Sequence, residues 1–123
     1  MTTASVVERL RALRIVPVIV IDSAREALPL AEALADGGLP CAEITFRTAG
    51  AVDALALIAR KRPDFLVGAG TVLTTDQADR ALGAGARFGV APGTNPRVLD
   101  HCSRIGLPFF PGVATPSDIE TAK

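Results

Sequence analysis

Five short apolar runs begin at Ile15, Cys41, Phe65, Phe88 and Leu107, 19 to 26 residues apart. Each is followed by a polar turn, and the first four then by a segment of helical period. Strand–helix alternation at this spacing predicts βαβ units and a parallel sheet, hence an α/β fold. Strands are expected over 15–20, 41–46, 65–70, 88–91 and 107–110. Helices are expected from Asp22 or Ser23 to Ala35, Ala49 to Arg60, Thr75 to Leu82 and Asn95 to Arg104. Ser23, Thr48 and Asn95 are placed to cap three of them. Pro29 either kinks the first helix or delays its start. Arg60-Lys61-Arg62 suits a helix C-terminus, where the dipole favours cations. Thr115-Pro116-Ser117-Asp118 opens a further helix, the fifth in this series, which is cut at Lys123. The 123 residues suit one domain, 1–123, whereas a closed eight-fold barrel takes ~200 residues or more. Two architectures remain: an open five-stranded α/β sheet, or about the first five βα units of a (β/α)8 TIM barrel.

Several function classes are excluded before any site is considered. Lys plus Arg equals Asp plus Glu at 13 each, so the chain has no electrostatic footprint for nucleic acid or an anionic membrane. No apolar run reaches the ~18–20 residues that span a bilayer, and Glu8, Arg9, Arg11 and Arg14 interrupt what would be a leader's apolar core. Cys41 and Cys102 are too few and too far apart for a disulfide framework or a zinc site. They are expected to be reduced, buried thiols in a cytoplasmic protein. Trp and Tyr are absent, so stacking on single-stranded nucleic acid has little to work with.

The second run breaks the rule that parallel strands buried on both faces are almost continuously apolar. In Cys41-Ala42-Glu43-Ile44-Thr45-Phe46-Arg47, Ile44 and Phe46 share one face, while Glu43, Thr45 and Arg47 share the other. The polar face is expected to point into a barrel lumen or central crevice. There Glu43 could act as an acid or base of raised pKa, and Arg47 could hold a carboxylate or phosphate. The competing reading pairs Glu43 and Arg47 with other lumen residues, or makes this a half-exposed edge strand. Gly68-Ala69-Gly70-Thr71 ends the third strand with small residues that keep the lumen open and let a ligand approach the backbone. Thr71 falls at a strand's C-terminal end, where barrel active sites sit. Pro92 stiffens the end of the fourth strand, which from physics alone reads as a rigid turn. His101, the sole histidine, is expected on a helix surface. No metal-ligand spacing is present, and a dinucleotide fingerprint fails at Leu73.

Together the motifs Pro17-Val18-Ile19-Val20, Glu43-Ile44-Thr45-Phe46-Arg47-Thr48, Val67-Gly68-Ala69-Gly70-Thr71-Val72, Ala91-Pro92-Gly93 and Phe110-Pro111-Gly112-Val113-Ala114-Thr115 resemble the 2-keto-3-deoxy-6-phosphogluconate (KDPG) and 4-hydroxy-2-oxoglutarate aldolases, in order and spacing. The resemblance implies the N-terminal portion of a class I aldolase on a (β/α)8 barrel. That enzyme is a cytoplasmic homotrimer of the Entner–Doudoroff pathway that releases pyruvate and glyceraldehyde 3-phosphate, or pyruvate and glyoxylate. A lysine Schiff base serves as the electron sink, without cofactor or metal. By the same resemblance Glu43 is the general acid/base, Arg47 and Thr71 bind the pyruvyl carboxylate, and Pro92 lines the pyruvate pocket. The expected partners are the phosphorylated keto acid and pyruvate, not nucleic acid or membrane. The family's Schiff-base lysine lies on a sixth strand and its phosphate site lies later still. Lys61 and Lys123, the two lysines here, fit neither position. The 123 residues are therefore expected to be inactive alone, and marginal or oligomeric because their sheet has open edges. The alternatives are a sugar-phosphate epimerase or isomerase barrel, or a non-catalytic α/β fragment or binding module.

Overall fold

The computed structural model describes residues Met1–Lys123. After an N-terminal helix α1 (Thr3–Leu13) the order is β1 (Val18–Ile19), a 3-10 turn (Ala24–Glu26), α2 (Ala27–Asp36), β2 (Cys41–Thr45), α3 (Ala51–Lys61), β3 (Leu66–Gly70), α4 (Thr75–Gly83), β4 (Gly89–Ala91), α5 (Pro96–Ile105), β5 (Phe109–Pro111) and α6 (Pro116–Ala122). All strands are parallel and lie in the order β1-β2-β3-β4-β5. A sheet wound in one direction, with successive helices on one side, is the arc of a barrel. A doubly wound sheet would reverse its order and put helices on both faces. The chain is a partial (β/α)8 barrel.

The helix layer packs on one set of alternating strand residues. Ala42 and Ile44 of β2 and Val67 and Ala69 of β3 join Ala27 and Ala31 of α2, Leu55 and Ile58 of α3, Ala78 and Ala81 of α4, and Val98 and Cys102 of α5 in one buried core. The many alanines let helices approach the sheet closely. The other face has a smaller core: Val6 of α1 packs with Cys41, Leu66 and Phe88. The ring of Phe88 meets Phe110 edge-on, centroids 6.1 Å apart. Helix α1 thus forms a floor under the N-terminal ends of the strands.

Most expected elements are present with shifted ends. Asn95 caps α5 and Thr115 caps α6, with Pro116 and Pro96 in the first turns. Pro29 sits in the first turn of α2, which begins as the 3-10 turn capped by Ser23. Thr48 does not cap α3. Its hydroxyl donates instead to the Ile21 carbonyl, and α3 begins after Gly50. The helix opened by Thr115 is the sixth, because α1 precedes the first strand. β2 lies between β1 and β3 and is buried along its length, so the edge-strand reading of Glu43 does not hold.

Candidate active site

Glu43 and Thr45 share the lumen face of β2. Glu43 is 9% exposed and Thr45 is 0% exposed. The Glu43 amide donates to the Pro17 carbonyl at 2.9 Å. The Thr45 hydroxyl donates to the Ile19 carbonyl at 2.9 Å, pinning β1 to β2 just above the glutamate. The Glu43 carboxyl lies across the neighbouring strand against Gly70. Burial pushes its pKa above the ordinary glutamate value, and the guanidinium of Arg47 partly offsets this. A raised pKa favours the protonated form, the state in which a carboxyl can give a proton.

Arg47 leaves the end of β2 exposed to solvent, and its Nε donates to the Thr71 hydroxyl at 3.3 Å. That is its sole hydrogen bond within the protein, and it makes no ion pair. Its remaining donors have no partner within the protein, and a guanidinium can bind a carboxylate in a fork. Thr71 follows β3 with φ of 55°, in the left-handed region that a β-branched residue rarely enters. Flanking bonds hold it there: the Phe46 amide to the Gly70 carbonyl at 2.8 Å, and the Val72 amide to the Val90 carbonyl at 3.1 Å. Strain of this kind persists where surrounding structure over-determines it, and it clusters at binding sites. Beneath Arg47 the loop is rigid, because Gly50 packs on the Asp22 carbonyl and Thr48 bonds to Ile21.

The structure gathers Glu43, Arg47 and Thr71 on the same side of the sheet, and Pro92 follows the neighbouring strand β4. Pro92 is exposed and lines a cleft of about 310 Å³ with Val72, Leu73, Thr94, Asn95 and Phe109, none of them titratable. Glu43, Arg47 and Thr71 do not border that cleft. A bond from the Thr94 hydroxyl to the Gly112 carbonyl, 2.8 Å long, ties the Pro92 loop to β5. The rigid-turn reading of Pro92 therefore describes its surroundings.

The small residues of β3 do not leave open lumen as expected. Side chains of Phe88 and Glu43 lie over Gly68 and Gly70, and Ala69 faces the helices. His101 is half-buried rather than a free surface residue: its Nε2 lies 2.7 Å from Asp79 Oδ1, linking α5 to α4 in the outer layer. Both cysteines are free and buried, and burial pushes each thiol up to about 11. The Asp79 carboxylate adds to this at Cys102, and Arg9 opposes it at Cys41. Lys61 ends α3. Lys123 lies beyond α6, beside Thr3 and Leu107. Both sit at the end of the sheet opposite Arg47 and Thr71. No helix is long and apolar enough to cross a membrane.

Two features of the site were not foreseen as parts of it. Thr45 was legible as polar on the lumen face, but its bond to Ile19 was not. Helix α1 carries its own signals, a Thr2–Ser5 capping box and the helical spacing of Val6, Leu10 and Leu13.

A family model described as KDPG and KHG aldolase matches residues 6–123. The 2-dehydro-3-deoxy-phosphogluconate aldolase of Haemophilus influenzae is 50% identical over 121 residues, covering 98% of this chain and 57% of that protein. The enzyme of the same description from Treponema pallidum is 48% identical over 118 residues, covering 96% and 56%. Among solved structures, KDPG aldolase from Legionella pneumophila superposes with a TM-score of 0.84 at 44% identity, over 87% of this chain and 52% of that one. That structure holds pyruvate captured at low pH as a covalent carbinolamine intermediate. The chain spans just over half the length of the curated relatives it matches.

Proposed function

The chain belongs to the KDPG and KHG aldolase family, a family of lyases, and from that premise we propose that it carries the acid/base and carboxylate-binding part of a Schiff-base aldolase site. The observation that supports this most is a buried carboxyl of raised pKa, Glu43, on the same sheet face as a guanidinium–hydroxyl pair, Arg47 and Thr71.

In this reading the Arg47 fork and the Thr71 hydroxyl orient the substrate carboxylate at the ends of β2 and β3. An amine adds to the adjacent ketone and expels its oxygen as water, forming an iminium. The iminium accepts the electron pair of the breaking carbon–carbon bond, leaving an aldehyde and an enamine. Glu43 gives a proton to the departing hydroxyl of the carbinolamine, takes the proton of the substrate hydroxyl that becomes the aldehyde, and returns it to the enamine carbon to give the pyruvyl imine, which water hydrolyses. Burial favours its protonated form relative to an exposed glutamate. Neither Lys61 nor Lys123 sits near these groups, so the reading takes the amine from outside residues 1–123. The proposed substrates are 2-keto-3-deoxy-6-phosphogluconate and 4-hydroxy-2-oxoglutarate. Pro92 is assigned to the rim of the pyruvate pocket on the family resemblance. A homo-oligomer, trimeric by that resemblance, belongs to the same reading.

The test is pyruvate release from each keto acid by the enzyme that carries these 123 residues together with a lysine-bearing sixth strand. Glu43→Gln is expected to lower kcat by roughly 10²–10⁴-fold. Arg47→Ala is expected to act mainly by raising KM. Unchanged kcat in the Glu43 variant removes the acid/base assignment.

A further inference from the structure

Gly68 and Gly70 occupy alternate positions on the lumen face of β3. Neither has a positive φ, so backbone conformation does not explain why they are glycine. Space does. A Cβ at Gly68 would run into the ring of Phe88, and one at Gly70 would run into Cγ, Cδ and Oε1 of Glu43. Glu43 comes from β2 and Phe88 immediately precedes β4, and these two strands flank β3. Their side chains lie over the bare backbone between them. Glu43 pairs in register with Gly68, yet its carboxyl reaches one layer up, to Gly70, towards the strand end where Arg47 and Thr71 meet.

We propose that Gly70 is a positioning residue for Glu43: the missing Cβ is the socket in which the carboxyl lies flat on β3, facing the carboxylate-binding pair. Gly68 supports the same arrangement by admitting the Phe88 ring, which continues the apolar floor of Val6, Cys41 and Leu66 below. With its socket filled, the carboxyl has to lift off the strand into the open lumen and regain water. The charge that acts on it, Arg47, leaves from its own strand and stays where it was. The catalytic value of this socket rests on Glu43 being the acid/base, but its geometry does not.

The experiment is a carboxyl-carbon NMR titration of Glu43 in the full chain, for wild type, Gly70→Ala and Phe88→Leu, beside thermal melts of Gly70→Ala, Glu43→Ala and the double variant. Wild-type Glu43 titrates above an ordinary glutamate, and Gly70→Ala shifts its midpoint down toward the ordinary range while the fold is kept. The change in melting temperature caused by Gly70→Ala differs between the wild-type and Glu43→Ala backgrounds, because only the former has a carboxyl to displace. A folded Gly70→Ala protein with the wild-type midpoint overturns the proposal. If Gly70→Ala does not fold, restoration of folding by Glu43→Ala supports the socket, and failure to restore it overturns it. None of these readouts depends on turnover, so the socket and the aldolase reading can fail separately.

Discussion

The two faces of this sheet follow different rules although they alternate along the same strands. On the outer face Ala42, Ile44, Val67 and Ala69 are wholly apolar, at 0–1% exposure, under α2 to α5. On the inner face Glu43, Thr45, Gly68 and Gly70 replace packing with a carboxyl, a hydroxyl and bare backbone. Helix α1 covers that face only at its floor, and Val18 and Val20 remain 61% and 56% exposed. Burial on the outer face serves stability. Burial on the inner face raises the pKa of Glu43, which costs stability when the carboxyl is ionised rather than adding it.

Substitutions that trade places across the sheet break or sharpen this contrast. The largest effect is expected on the outer face: Ile44→Ala should destabilise the fold by about 2–5 kcal/mol, read by denaturant unfolding. A loss as small as that from its inner-face neighbours would erase the distinction. Thr45→Val keeps the shape and removes the bond to Ile19, for a loss of about 1 kcal/mol. Glu43→Gln should have the opposite sign. A glutamate whose folded pKa is raised binds its proton more tightly in the native state. Its contribution to stability is fully present below the ordinary value of 4.5 and is lost as pH rises through the folded value. Glu43→Gln should therefore be more stable than wild type at neutral pH, with the gap closing as pH falls below 4.5. A gap that widens on acidification would mean the carboxylate is stabilised in the fold by partners not identified in the structure.

This contrast also decides how much was legible in the sequence. β2 and β3 could be read because their apolar runs are interrupted at alternate positions, and a period of two is a local signal. The clustering of Arg47 with Thr71 followed from their places at adjacent strand ends. The role of Thr48 was not legible. A threonine before a helix is a cap by local rules, but the Ile21 carbonyl from the preceding loop takes its hydroxyl. Gly68 and Gly70 were misread for the same reason. Small residues at a strand end imply open space until the side chains of neighbouring strands are placed over them. The placement of the Pro92 loop likewise depends on its tie to Gly112, a contact 18 residues along the chain.

The central claim is that these residues hold the acid/base and carboxylate-binding groups of a Schiff-base aldolase but not its nucleophile. The direct test is intact mass after incubation with pyruvate and borohydride, for the 123-residue chain and for the enzyme that extends it with a lysine-bearing sixth strand. The account predicts no adduct on the former and one reduced pyruvyl adduct on the latter, abolished by replacing that lysine. A stoichiometric adduct on Lys61 or Lys123, or none on the extended enzyme, would contradict it.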